Sequence, residues 1–210
     1  MFRWLLPDLD LLVGRDRVEA ARLCEEHFPD AVLVLDDGFQ HLPLRKHIGI
    51  VLDPSQPSNT HCLPAGPYRE PRRNRSRADL VLPGKFSVQE APLHFQTSAG
   101  EVVRPTRYGV LCALARPERF LASVEAAVGS PPAESGVLLL PDHDPLTKGN
   151  LFGGFPEGLP VVVTAKDWVK LRERSDIGGR SILIARHEVH VEPRTAFRDW
   201  LAERLDVLGS

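Results

Sequence analysis

Apolar positions along this chain follow two rhythms, and each predicts a different element. Short runs of Val, Leu and Ile without polar alternation read as strands buried on both faces, as in parallel sheets. Such runs occupy 9–14 (LDLLVG), 31–35 (AVLVL), 48–53 (IGIVLD) and 78–82 (ADLVL). They recur at 109–114 (GVLCAL), 136–144 (GVLLLPDHD), 159–167 (LPVVVTAKD) and 181–189 (SILIARHEV). The second rhythm places apolar residues three or four apart and predicts helices. One runs from Asp16 to His27 and another from Pro117 to Val128, opened by proline near its first turn. The last runs from Thr195 to Leu205, with Phe197, Trp200, Leu201 and Leu205 on one face. Between the two sets of strands, LHFQT (93–97) and EVVRP (101–105) flank SAG and read as a β-hairpin.

Strand, helix and strand in succession predict the α/β class, with parallel-type sheets and right-handed crossovers. The hairpin divides the pattern into two α/β/α lobes. The expected boundaries are a first lobe at 1–91, a β-ribbon linker at 92–108 and a smaller second lobe at 109–190. Residues 191–210 form a closing helix expected to pack back on the first lobe. Residues 54–77, rich in Pro, Asn and Arg, read as a long loop.

Composition narrows the possible partners. The chain has 210 residues, 42% hydrophobic and 26% charged, which is ordinary for a globular protein. A net charge of −2 gives no global electrostatic case for nucleic acid or membrane. Cys24, Cys62 and Cys112 are odd in number and widely spaced, so free thiols in a reducing cytoplasm are expected. No apolar run approaches the roughly 18 residues of a membrane span.

Candidate chemistry gathers at strand ends. AVLVL runs into Asp36 and Asp37, then Gly38, Phe39, Gln40 and His41. In open parallel sheets ligands sit outside the carboxyl ends of the strands. Two carboxylates there suit a Mg²⁺-nucleotide site, one acid holding the metal directly or through water. The alternative is a strand end whose aspartates cap the next turn. PDHDPLT (141–147) repeats the arrangement: His143 beside a carboxylate can shuttle a proton, or the stretch is a surface turn. At 161–171 a buried run ends in Thr164, and Lys166 and Asp167 open a helix. There they could meet a phosphate or simply form a capped, solvated helix start. YREPRRNRSR (68–77) sets Arg69, Arg72, Arg73, Arg75 and Arg77 against Glu70 alone. Arginine forks match phosphates, so a phosphorylated substrate or acidic lipid headgroups are candidates, and a solvated loop is the alternative. Tyr68 is the only aromatic among them, which makes nucleic acid the weakest candidate.

Taken in order, DDGFQH (36–41), LPAGPYREP (63–71), ARPERF (115–120), PDHD (141–144) and VTAKDWVKL (163–171) resemble the tetraacyldisaccharide 4'-kinase family. The resemblance runs from about Val13 to Leu205. It implies transfer of the γ-phosphoryl of ATP to the 4'-hydroxyl of a tetraacylated disaccharide 1-phosphate, a step of lipid A biosynthesis. It further implies Mg²⁺, a cytoplasmic protein working at the cytoplasmic face of the inner membrane, and a P-loop-NTPase-like first lobe joined to the second by a ribbon. By that resemblance Asp36 and Asp37 match the Walker B acids and hold the metal. Gln40 and His41 complete the motif and contact substrate, and Arg69 matches a substrate-phosphate contact. His143 matches the histidine that helps activate the sugar hydroxyl. Asp144 stands where the family often has a second histidine, and Ala165 replaces a common glutamate.

One part of such a site has no counterpart in this sequence. A phosphate cradle reads G-x-x-x-x-G-K-[ST]. Gly84-Lys85 is the nearest approach, and Phe86 follows it. The resemblance places the P-loop, a membrane-associating helix and a catalytic aspartate before the segment matching residue 9. The expectation is therefore that these 210 residues alone are inactive, the start being mis-assigned or the P-loop half being supplied by another chain. A non-catalytic module derived from the kinase is the alternative.

Overall fold

The computed structural model describes residues 2–209 and belongs to the α/β class. In chain order the elements begin with α1 (Phe2–Leu5), α2 (Arg17–His27), β1 (Ile50–Leu52), β2 (Leu80–Leu82) and β3 (Ser87–Glu90). Then come β4 (His94–Gln96), β5 (Val102–Val103), β6 (Gly109–Ala113), α3 (Pro117–Val128) and β7 (Val137–Leu140). The chain closes with β8 (Val161–Thr164), α4 (Ala165–Leu171), β9 (Ile182–Arg186), β10 (Val189–Glu192) and α5 (Arg194–Gly209). They form two compact units, one of residues 1–9 and 90–188, the other of 10–89 and 189–210.

The first unit is built on a six-stranded sheet in the order β5-β4-β9-β8-β6-β7. Its four strands from β9 to β7 are parallel, with Val110 opposite both Val137 and Val162. Strands β6 and β8 are central, and their unbroken apolar runs follow from burial on both faces. Side chains alternate across the sheet. Leu111, Val161, Val163 and Ile184 pack on one face with Leu146, Phe152 and Leu171. Val110, Val162 and Leu183 pack on the other with Val124, Phe120 and Leu121 of α3. Helix α3 starts with Pro117 in its first turn and stops at Gly129, whose φ of 88° suits only a residue without a Cβ.

The hairpin expected as a linker is the antiparallel edge of this sheet. Phe95 pairs with Ala185 of β9 on one side and Val103 on the other, so 93–105 is not a free ribbon. Phe95 is buried with Tyr108, which explains the attachment.

The second unit holds a two-stranded parallel pair, β1–β2, with Ile50 opposite Leu80, and a separate pair, β3–β10. Leu80, Leu82, Phe86 and Trp200 form its core, with Phe197 and Leu201 of α5. Phe197 and Trp200 stack at 6.0 Å, and Phe86 meets Phe197 edge-on at 5.5 Å. Helix α2 is capped by Asp16, whose carboxylate accepts from the Val18 and Glu19 amides at 2.9 and 3.1 Å.

Two expected strands do not form. Residues 9–14 and 31–35 pair with nothing among the described residues, and Val13 and Val34 are 88% and 84% exposed. A parallel strand is held by its neighbours' backbone, and β1 offers only one paired neighbour among the described residues.

Candidate functional site

Asp36 and Asp37 lie in a turn that follows the unpaired 31–35 segment. Asp37 adopts a φ of 52°, a left-handed conformation that aspartate tolerates better than most side chains. Asp36 makes no hydrogen bond or ion pair among the described residues, whereas Asp37 Oδ2 accepts from Arg69 Nη1 at 2.6 Å. Gln40, three residues on, donates to Glu70 Oε1 at 3.1 Å. The turn at 36–40 is thus joined to the loop at 69–70 by two adjacent contacts. His41 uses its carbonyl to accept from Lys46 at 2.6 Å, while its ring Nε2 is buried without a partner.

The arginine-rich stretch folds around two carboxylates. Asp53, at the carboxyl end of β1, is 6% exposed. Its Oδ1 accepts from the Tyr68 hydroxyl at 2.7 Å, and its Oδ2 from Arg72 Nε and Nη2 at 3.0 and 2.8 Å and from Arg75. Burial pushes the Asp53 carboxyl up, but Arg72, Tyr68 and Arg75 outweigh it and hold it below the usual carboxylate range. The same bond raises the Tyr68 hydroxyl. Glu70 accepts from Asn74, Gln40 and both oxygens' worth of Arg77, and these together overcome its burial and keep its carboxyl low. Residues 72–77 wind into a 3₁₀ helix that aims Arg72 and Arg75 inward. Gly66 in the preceding turn is required by space, since a Cβ there would lie 2.3 Å from the His61 carbonyl oxygen.

Most of the arginines expected to meet an anion are paired within the protein. Arg69, Arg72, Arg75 and Arg77 all face carboxylates, leaving Arg73 without one among the described residues. Arg69, expected to meet a substrate phosphate, instead rests on Asp37. Asp53 and Tyr68 were not singled out from the sequence. The available signal was a carboxylate ending the IGIVLD run with a cluster of arginines downstream.

In the other unit, His143 follows β7 in a loop, with its side chain 77% exposed and a φ of 63°. Its Nε2 is 3.6 Å from Asp142 Oδ2 and its Nδ1 is 3.4 Å from Lys166 Nζ. Both distances are too long for strong hydrogen bonds, so neither neighbour locks the exposed imidazole. The loop beneath it is held firmly. Asp144 accepts from the Leu146 amide at 2.7 Å, Lys170 reaches the Asp144 carbonyl, and Arg174 reaches the carbonyls of Leu146 and Gly149. Leu146 is fully buried at a φ of 58°, unusual for a branched aliphatic side chain.

Asp167, expected as a phosphate or nucleotide contact, is turned inward. Its side chain is 0% exposed, and its Oδ2 accepts from the Thr164 hydroxyl at 2.8 Å and the Ala113 amide at 3.2 Å. The Asp167 amide in turn donates to the Thr164 hydroxyl at 3.0 Å. Asp167 therefore ties α4 to β6, and Lys166 alone of the pair reaches the surface near His143. Cys24, Cys62 and Cys112 are free, and burial pushes the Cys112 thiol up to about 11.

The sequence profile of the family described as tetraacyldisaccharide-1-P 4'-kinase matches residues 1–206. The chain belongs to that family. Among curated relatives, the tetraacyldisaccharide 4'-kinase of Anaeromyxobacter dehalogenans (strain 2CP-1) is 34% identical over 203 residues, covering 79% of this chain and 53% of that protein. The enzyme of Chlorobium phaeovibrioides is 31% identical over 201 residues, covering 79% and 56%. The chain thus spans about half the length of the curated 4'-kinases it matches. A crystal structure of LpxK from Aquifex aeolicus, in complex with ATP, superposes with a TM-score of 0.77 at 24% identity, over 96% of this chain and 66% of that one. That likeness establishes the fold shared with this 4'-kinase relative. No helix of the described residues is long and apolar enough to cross a membrane.

Proposed function

We propose that this chain carries the metal side and the acceptor side of a 4'-kinase acting on a tetraacyldisaccharide 1-phosphate with ATP. The observation that carries the reading is the family match over 1–206, which takes in DDGFQH, LPAGPYREP and PDHD together. The acceptor is a lipid, so the reaction belongs at a membrane surface, and the cytoplasmic face of the inner membrane is the proposed place. The stretch 10–89, which holds Asp36 and Asp37, is proposed as the nucleotide-side lobe.

Asp36 and Asp37 would hold Mg²⁺, which would neutralise charge on the phosphates in transfer. The donor set fits that ion. Mg²⁺ keeps several waters and takes one or two carboxylates beside its phosphates. Asp36 is free of partners among the described residues and Asp37 has one oxygen without a bond, which leaves carboxylate oxygens for such an ion. His143 accepts the proton of the 4'-hydroxyl as its oxygen attacks the γ-phosphorus and the bond to the bridging oxygen of ADP breaks. Lys166, beside His143, is placed to face an incoming anion. Gln40 and His41 shape the turn that presents Asp37, and Arg69 is proposed to contact a phosphate of the acceptor.

The test is phosphoryl transfer to the 4'-hydroxyl of a lipid A disaccharide precursor. The assay uses the chain together with a family segment containing a P-loop. Transfer that is lost in Asp36→Ala and in Asp37→Ala supports the reading, and transfer unaffected by either contradicts it. A second expectation concerns the 210 residues alone. Tight nucleotide binding in P-loop proteins comes mainly from the loop backbone, its lysine and Mg²⁺. The sequence holds no G-x-x-x-x-G-K-[ST] stretch. Calorimetric titration of this polypeptide with Mg-ATP is expected to show a Kd no tighter than about 1 mM, roughly −4 kcal/mol. A micromolar Kd would exclude this account of nucleotide binding.

A further inference from the structure

We infer that Arg69 and a divalent cation compete for Asp37, so that cation binding releases the arginine for an anionic ligand. This rests on the metal reading of Asp36 and Asp37 given above.

The pair is built from both sides. Arg69 follows Tyr68, whose hydroxyl is fixed to buried Asp53 at 2.7 Å. It precedes Glu70, which accepts from Gln40 of the facing turn. Asp37 is set by its left-handed backbone in that same turn. The two groups meet at the surface, 57% and 54% exposed on their side chains, but both are carried on anchored backbone. The contact from Arg69 Nη1 to Asp37 Oδ2 is 2.6 Å, and it is the single side-chain bond of Arg69 among the described residues. Neighbouring Asp36 has no partner there.

An oxygen that accepts a guanidinium N–H at this distance has a lone pair and much of its charge already engaged, so a cation beside it meets a competing positive group. A cation on the carboxylate's other oxygen would stand within a few ångströms of the guanidinium and repel it. The unliganded site thus carries its own substitute cation. When a divalent ion takes Asp37, Arg69 becomes an unpaired planar fork beside it, suited to a phosphate. Linkage makes the effect reciprocal, since what weakens the pair for one ligand favours the other by the same factor. The device couples the two ligands: the metal favours the phosphorylated acceptor and the acceptor favours the metal.

The experiment titrates the 210-residue protein with Mn²⁺, read by electron paramagnetic resonance, in the wild type and in Arg69→Gln, Arg73→Gln and Asp37→Asn. Arg73 is an exposed arginine without a carboxylate partner, so its variant controls for the general change of charge. Competition predicts that Arg69→Gln binds Mn²⁺ about 1.4- to 5-fold tighter, the range an exposed ion pair contributes. Arg73→Gln changes less, and Asp37→Asn loses the site. A second reading is the side-chain Nε resonance of Arg69 under Mg²⁺. In the wild type it moves toward the position it already holds in Asp37→Asn. Mn²⁺ binding that requires Asp37 but is no tighter in Arg69→Gln than in Arg73→Gln overturns the competition and leaves the metal reading standing. Absence of Mn²⁺ binding in every variant overturns both.

Discussion

Replacing Asp53 by alanine is expected to destabilise the unit of residues 10–89 and 189–209 by about 1.5–3 kcal/mol, the usual worth of hydrogen bonds to a charged group whose guanidinium partners remain partly exposed. Two guanidinium groups and a phenol converge on this one carboxylate, which is 4% exposed on its side chain. Without it, Arg72 keeps, among the described residues, only the Pro54 carbonyl, at 3.0 Å, as an acceptor. The 3₁₀ turn at 72–77 and the loop from His61 to Tyr68 lose the point they share. Denaturant unfolding followed by the emission of Trp200, which lies in the core of that unit, reads the loss directly. A change under about 0.5 kcal/mol, the size of an ordinary surface substitution, would show that the loop is held by other means. Asp53 also sets a pH dependence. Its folded carboxyl is held below the ordinary value near 3.9. Its contribution is therefore complete above that value and disappears as pH falls through the lower, folded one. Wild-type stability is expected to fall on acidification below about pH 4, and Asp53→Asn to flatten that part of the profile.

Elements whose partners lie within the chain were legible in the sequence. The runs at β6, β8 and β9 are almost wholly apolar because both faces of that sheet are covered, and the structure pairs them in parallel. Helices α2, α3 and α5 were legible from caps and periodicity, which are local properties. The runs at 9–14 and 31–35 carry an equally clear strand pattern, yet pairing depends on a neighbouring backbone that no local pattern supplies. Strands β3 and β10 escaped notice because SVQE and VHVE are short and half polar.

The candidate site divides along the same line. Asp36, Asp37 and His143 could be named from motif order, and the left-handed backbone at Asp37 and His143 gives those positions a physical singularity. The pairing of the arginines could not, because Asp53 stands 15 to 22 residues from its donors. Asp167 points inward although a helix start looks open to solvent. The T-x-x-D spacing from Thr164 signals a reciprocal cap, and a residue so engaged can turn inward.

The other large effect concerns His143. A general base acting on a sugar hydroxyl typically contributes about 10²- to 10⁴-fold to the rate. The imidazole is exposed and carried on a loop that Lys170 and Arg174 hold by its carbonyls, so removing the ring should leave the loop in place. Leu146, not His143, fills the core beneath that loop. A loss of activity in His143→Ala therefore reports chemistry rather than unfolding, and thermal stability is expected to change by less than about 0.5 kcal/mol. Arg69→Ala differs in kind. If its contact with the acceptor is equal in ground and transition states, it raises KM and leaves kcat nearly unchanged.

The most direct measurement is kcat for 4'-phosphorylation of a lipid A disaccharide precursor by His143→Ala. It is made at saturating Mg-ATP and acceptor, with a P-loop-containing family segment present and the unsubstituted chain as reference. The account predicts a fall of about 10²- to 10⁴-fold with the fold intact. An unchanged kcat in the substituted chain would contradict it.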